Sequence, residues 1–190
     1  MGRATLAPAR SLKARAIQLL AQREHSRLEL RRKLLPHALA EEARSRGETG
    51  GAGADTSSAV DHAVTDVRAR LDALLDWLET NHHLSEQRFV ESRLHARASR
   101  FGNLRIRQEL AQHQVGLSAD AESALKETEL ARARAVWERK FCGPPVNAAE
   151  WAKHSRFLAG RGFSGEVIRR VLREAGIGGA SFVAVSPDPD

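Results

Sequence analysis

Apolar residues recur along this chain at intervals of three and four, and runs of β-branched residues alternating with polar ones are nearly absent. Side chains at i, i+3, i+4 and i+7 share one face of a helix, whereas a half-buried strand alternates every second residue. The pattern therefore predicts an all-α protein. Leu12, Ala16, Leu19 and Leu20 form the stripe of a first helix, from Leu12 to Gln22. Ser26 with Glu29 three residues on is a capping box opening a second helix, with Leu30 and Leu34 on its buried face. From about Glu41 to Ala59 the apolar period stops, and Gly47, Gly50, Gly51 and Gly53 predict a flexible loop. The stripe resumes at Val60 and runs to about Thr80 through Val64, Val67, Leu71, Leu74, Leu75 and Leu78. Ser85 caps a helix to about Ser99, a short helix runs from about Leu104 to His113, and Ala119 to Phe141 holds one or two more. Pro144 and Pro145 stop the pattern. Asn147 with Glu150 opens a helix to about Gly160, and Ser164 caps a last one that ends at Gly176.

One pattern occurs three times. Ser26 is followed by Leu30, Arg31 and Leu34; Gly102 by Ile106, Arg107 and Leu110; Ser164 by Ile168, Arg169 and Leu172. Each copy has a cap or turn residue, an apolar residue four positions on, an arginine next, and a second apolar residue three further. His25, Phe101 and Phe163 precede the cap, and Leu20, Ala96 and Leu158 lie six residues before it. Each copy is a helix, a tight turn and a second helix, with room for a third supplied by residues 60–80 and 121–141. Short helical units that cannot bury a face alone gain stability by stacking, so the expected architecture is three tandem three-helix, helix-turn-helix-like repeats in an elongated, curved array. The expected organisation is a flexible N-terminus over 1–11, repeat 1 over 12–80 with the Gly-rich insertion at about 41–59, repeat 2 over 81–142, repeat 3 over 147–176 and a mobile tail over 177–190.

Composition narrows the functional classes. The chain has 190 residues, Lys+Arg 30 against Asp+Glu 24, a net charge of +6 and a pI near 10.4, which favours an anionic partner: nucleic acid, a membrane surface or an acidic protein face. A single cysteine, Cys142, excludes an internal disulfide and a Cys-cluster zinc site, and fits a reducing, cytoplasmic setting. Met1–Arg15 has no apolar h-region, so no secretory signal is expected, and no apolar run approaches the ~20 residues of a spanning helix. With three Trp, six Phe and no Tyr, stacked aromatics that read single-stranded bases are not expected.

Catalytic chemistry is not legible. Gly47-Glu48-Thr49-Gly50-Gly51 lacks the Lys-Ser/Thr end of a phosphate loop and follows no strand; His82-His83 has no partner at metal-ligand spacing and suits a helix end. The tryptophans at 77, 137 and 151 fall on apolar helical faces and are expected in the core, and the scattered histidines share no face. No catalytic residue, metal or cofactor is assigned, and the chain is expected not to be an enzyme. What remains is basic: Arg31, Arg32, Lys33, Arg97, Arg100, Arg105, Arg107, Arg169, Arg170 and Arg173 sit on or beside the repeat helices. A solvated face with glutamate partners accounts for any one of them; their recurrence at the same place in each unit makes them the candidate contacts to an anionic partner.

Five segments carry a resemblance to a known family. Residues 16–34, with Ser26-Arg27-Leu28-Glu29-Leu30-Arg31-Arg32-Lys33-Leu34 at their end, look like the opening motif of the RecX family, in which a helix leads into Ser-x-x-Glu-Leu-x-x-Lys-Leu. Leu75-Asp76-Trp77-Leu78 followed by Leu84-Ser85-Glu86-Gln87-Arg88-Phe89 is similar to its next segment, and residues 102–110, Arg139-Lys140-Phe141 and residues 157–164 complete the order. The resemblance covers about residues 12 to 175. The stretch from Leu35-Pro36 to about Thr65 departs from it, being longer and more Gly-rich, and the tail from Gly178 has no counterpart.

The resemblance implies a regulator of RecA: a crescent of three-helix repeats lying in the groove of the RecA filament on DNA, dampening ATP hydrolysis, strand exchange and coprotease function in recombination and the SOS response. On that reading the partners are the RecA filament and, weakly, single- or double-stranded DNA, with no membrane contact and a monomeric, cytoplasmic protein. The competing reading is a basic helix-turn-helix protein that binds DNA directly through one helix in the major groove.

Overall fold

The structure, a computed structural model, describes residues 11–46 and 57–179. Among them are eight helices and no strand: α1 (Leu12–Gln22), α2 (Arg27–Ser45), α3 (Ser57–Thr80), α4 (Glu86–Arg97), α5 (Asn103–Gln112), α6 (Ala119–Glu138), α7 (Ala148–Gly160) and α8 (Gly165–Gly179). They group into two compact units, residues 1–89 and 90–190, with the division inside α4.

In the first unit the expected stripes meet. Ala16, Leu30, Leu34, Leu71, Leu75, Leu78 and Leu84 form one core, with Leu19, Leu20, Leu74 and Trp77 packed against it. Lys13 Nζ lies 3.5 Å from the centre of the Trp77 ring. Ser26 Oγ accepts the Glu29 N–H at 3.1 Å, as a capping serine should. The preceding His25 is buried; its Nδ1 lies 2.8 Å from the Arg23 carbonyl and so carries the proton, which leaves Nε2 to accept from Lys33 Nζ at 3.0 Å. Burial pushes the His25 pKa down, against the raising effect of the Arg23 carbonyl.

Helix reaches further into the stretch from Glu41 to Ala59 than its composition predicts. Helix α2 passes through Pro36 and continues to Ser45, and Ser57–Ala59 is already helical. Pro36 removes one backbone bond, but Leu34 and Ala38 are buried on either side of it and hold the helix to its neighbour. Beyond it, Ala40 and Ala43 are strong helix formers, and Arg46 pairs with Glu42 at 3.0 Å across one turn. Ion pairs stitch α2 to α3 along its length: Arg27 to Asp76 and Glu79, both at 2.7 Å, Arg31 to Asp72 at 2.9 Å, and Glu42 to Arg70 at 2.5 Å. The four glycines of the insertion lie outside the described residues.

In the second unit Ala133, Val136 and Trp137 of α6 share a core with Leu158 of α7, Phe163, and Ile168, Val171 and Leu172 of α8. Residues 119–138 form one continuous helix, and this face of it packs on the two helices that follow. The buried Trp137 indole donates to His154 Nδ1 at 3.2 Å, and Phe141 stacks on that imidazole with ring centres 3.6 Å apart. Burial also lowers the His154 pKa. Trp151, expected in the core, is 38% exposed in the first turn of α7. Helix α8 runs past Gly176 to Gly179; the rest of the expected tail and residues 1–10 lie outside the described residues.

The repeated positions behave alike. Leu30, Leu34, Ile106, Leu110, Ile168 and Leu172 are all buried, while the arginine of each copy is turned outward, Arg107 and Arg169 being exposed and Arg31 half-buried. Upstream, His25, Phe163 and Leu158 are buried, Phe101 and Leu20 half-buried, and Ala96 exposed.

Two histidines held neutral make stability depend on pH. The unfolded chain takes up protons on both as pH falls through the ordinary imidazole range, whereas the folded chain resists, so the stabilisation is complete above that range and is lost as pH drops. Urea unfolding followed by tryptophan fluorescence is expected to show a lower midpoint at pH ~5.5 than at pH ~7.5, and a smaller drop in a His25→Asn/His154→Gln variant.

Candidate functional site

Within the second unit the turn between α4 and α5 presses on the turn between α7 and α8. The Gly102 N–H donates to the Arg161 carbonyl at 2.9 Å, and the Leu104 N–H donates to the Gly162 carbonyl at 3.0 Å. A Cβ at residue 102 would fall far inside contact distance of the Gly162 carbonyl and the Phe163 nitrogen. Gly162 has φ of 83°, and a Cβ there would collide with Arg105. The two backbones can meet only because both positions are glycine.

That contact removes the capping side chain from the second repeat copy. Ser26 and Ser164 cap their helices with hydroxyls, the latter accepting the Val167 N–H at 3.4 Å, but Gly102 has none to offer. The carboxylate of Glu129, buried on α6, takes its place: Oε1 accepts the Asn103 N–H and Oε2 accepts the Asn103 side-chain amide, each at 3.1 Å. Arg132, one turn further on, closes the end of α4, donating to the carbonyls of Phe101 at 2.8 Å and Ala98 at 3.1 Å and to Asn103 Oδ1 at 2.5 Å. Its pKa is lowered by burial, with Glu129 acting in the opposite direction. Nothing in the sequence marks Asn103, Glu129 or Arg132 as a set, because no spacing rule links residues brought together by tertiary packing.

The ten basic residues expected to touch a partner divide three ways. Carboxylates hold five: Arg31 on Asp72, Lys33 on Glu29 at 3.4 Å, Arg97 on Glu109 at 3.0 Å, Arg107 on Glu122 at 2.7 Å and Arg170 on Glu174 at 2.9 Å. Arg32, Arg169 and Arg173 are exposed and make no ion pair among the described residues. The remaining two, Arg100 and Arg105, gather with the carboxylate-held Arg97 around the Phe101 ring, the guanidinium carbons of Arg97, Arg100 and Arg105 lying 5.6, 5.8 and 4.6 Å from its centre. Arg105 also donates to the Gly160 carbonyl at 3.3 Å.

Beside that ring lies a cleft of about 240 Å³ lined by Arg100, Val136, Arg139, Lys140, Phe157 and Arg161. Three of its four cations fall outside the repeat pattern. Arg139 donates to the carbonyls of Ala135 at 3.0 Å and Ser99 at 2.7 Å; Arg161 donates to the Arg100 carbonyl at 3.3 Å and lies 4.7 Å from the centre of the Phe157 ring. A sequence signal exists for three of the four: Arg100-Phe101, Lys140-Phe141 and Arg161-Gly162-Phe163 each place a basic residue one or two positions before a phenylalanine where a helix has ended. Among the described residues no three His, Cys, Asp or Glu side chains are grouped to hold a metal ion, and no helix is long and apolar enough to cross a membrane.

Eight helices among the described residues, with buried apolar positions repeating at fixed offsets, an arginine outward beside each, and a cationic cleft between turns define an all-α helical-repeat protein. The family model described as RecX, second three-helix domain, matches residues 85–125, and that described as RecX, third three-helix domain, matches residues 127–172. The chain is 45% identical over 167 residues to "Regulatory protein RecX" of Ralstonia nicotianae, covering 87% of this chain and 88% of that protein. It is 42% identical over 167 residues to the protein of that name from Ralstonia pickettii, with the same coverage. A third, from Leptothrix cholodnii, is 45% identical over 170 residues, 88% of this chain and 91% of its own length. The chain belongs to the RecX family of regulatory proteins.

Two substitutions probe the joint. Gly102→Ala is expected to destabilise the fold by about 1–3 kcal/mol, since backbone must move to admit the methyl group. Glu129→Ala is expected to cost about 1.5–3 kcal/mol, because it leaves the Asn103 backbone and side-chain amides without their charged acceptor and removes the carboxylate charge that favours the half-buried Arg132. Chemical denaturation of both, beside an exposed control such as Glu127→Ala, measures the difference.

Proposed function

We propose that this chain is a non-catalytic, cytoplasmic regulator of RecA that binds the RecA–DNA filament and lowers its ATP hydrolysis, strand exchange and coprotease activity. The observation that carries this reading is identity of 42–45% over 87–88% of the chain to proteins named "Regulatory protein RecX". The physics is compatible. A net charge of +6 assists encounter with phosphate or an acidic protein face, and contacts spread over several helical units add many weak interactions.

The structure bears on which of the expected contacts are available. Arg32, Arg169 and Arg173 hold no carboxylate among the described residues and give up no ion pair when a partner takes them. Arg31, Lys33, Arg97, Arg107 and Arg170 would exchange an existing ion pair for a new one, and exposed pairs of this kind contribute only ~0–1 kcal/mol, so the exchange is shallow.

Adding increasing amounts of the protein to RecA on single-stranded DNA is expected to lower the rate of ATP hydrolysis progressively; an unchanged rate would overturn the reading. Replacing Arg31, Arg32, Arg169 and Arg170 by Glu together is expected to raise the amount needed for half-inhibition roughly tenfold, the ~1.4 kcal/mol that four partly screened contacts of a few tenths each supply. Unchanged inhibition by that variant would remove these arginines from the interface.

A further inference from the structure

We propose that the cleft of Arg100, Arg139, Lys140 and Arg161 over Phe157 is a phosphate-binding site that seats the backbone of a nucleic-acid strand. Four cations converge on one space, none of them paired with a carboxylate among the described residues. Like charges held together lower their energy by sharing an anion, so this cluster favours a counter-charge more strongly than the acid-paired arginines on the same unit do.

The guanidinium groups are also oriented in advance. Arg139 spends two of its five N–H donors on the Ala135 and Ser99 carbonyls, and Arg161 one on the Arg100 carbonyl. Those bonds tie the side chains to helix ends that are themselves joined through Gly102 and Gly162, and the remaining donors are left for a ligand. A guanidinium fork matches the two oxygens of a phosphate edge, and Lys140 adds a mobile point charge at the exposed rim.

The ligand is a backbone and not a base. The Phe157 ring is covered by Arg161 and packs edge-on to Phe141 at 5.3 Å, and the Phe101 ring has Arg105 at 4.6 Å, so neither is an open platform for stacking. Arg105, which pairs with no carboxylate among the described residues, extends the positive charge from Arg100 around Phe101, which suits a polymer of phosphates better than one isolated anion. Binding is therefore expected to ignore sequence and to weaken steeply with salt. That the strand is the one inside a RecA filament rests on the function proposed above; the affinity of the cleft for a strand does not.

The test is fluorescence anisotropy of a labelled oligothymidylate of about 20 nucleotides with the full chain over a range of salt. For an Arg100→Gln/Lys140→Gln variant, the dissociation constant at low salt is expected to rise about tenfold, and the slope of log K against log salt to flatten by about 0.7 for each phosphate that is no longer neutralised. Lys126→Gln, an exposed cation elsewhere on α6, is expected to bind as the unaltered chain does. Affinity and slope unchanged in the double variant would overturn the proposal. So would displacement of the oligonucleotide by pyrophosphate or polyglutamate at equal charge concentration, which would make the site one for free phosphate or for an acidic protein. Loss of RecA inhibition with oligonucleotide binding intact would likewise overturn it while leaving the function standing. Weakened oligonucleotide binding by the variant, in a protein without effect on RecA, would support the cleft and overturn the function.

Discussion

The second unit depends on one close approach, the seating of Gly102 against the carbonyl of Gly162. Two helix-turn-helix turns meet backbone to backbone, at a distance no side chain permits. Everything near it follows from that geometry. Gly102 cannot cap α5, so a buried carboxylate from α6 does so; the ends of α4 and α7 are brought side by side, and their open carbonyls must find donors. Arginine supplies them each time: Arg132 to Ala98 and Phe101, Arg139 to Ser99, Arg161 to Arg100 and Arg105 to Gly160.

The abundance of arginine in this chain thus has separate physical causes. Some arginines are glue between helices, paired with Asp or Glu at the surface, and each contributes at most about 1 kcal/mol. Others are substitutes for missing helix-end partners, where loss of a half-buried group such as Arg132 leaves several carbonyls unsatisfied at once. A third set is neither neutralised by a carboxylate among the described residues nor fully used, at Arg32, Arg169 and Arg173 on the surface and at Arg100, Arg139, Lys140 and Arg161 in the cleft. Charge that is already compensated steers an encounter weakly; charge that is oriented and uncompensated is what a phosphate or an acidic face meets.

For a regulator of the kind proposed above, such a distribution has a use. Contacts that are individually weak and spread over several helical units release easily, and their sum responds to salt and to the number of sites engaged. The buried histidines belong to the scaffold: His25 braces the turn before α2 and His154 satisfies the Trp137 indole, and burial lowers the pKa of both rings.

The helical period by itself determined the all-α class, the stripes of Leu30, Leu34, Ile106, Leu110, Ile168 and Leu172 and the caps at Ser26 and Asn147, because burial of one face and satisfaction of the first turn are local requirements. The family was legible too, in short motifs in a fixed order. Composition misleads where glycine-rich sequence adjoins good helix formers, so that Glu41–Ser45 of α2 reads as loop, and where Trp151, apolar by type, stands at a helix start with its ring partly in water. Arg170 and Glu174 are one turn apart on α8, so their pairing is local, but tertiary structure decided the compensation of Arg31, Arg97 and Arg107, since that depends on Asp72, Glu109 and Glu122 arriving from other helices. It alone assembled the cleft as well. Arg100, Arg139 and Arg161 follow three different helices; the meeting of two glycines joins the ends of α4 and α7, and the packing of α6 on α7 and α8 brings the third end beside them.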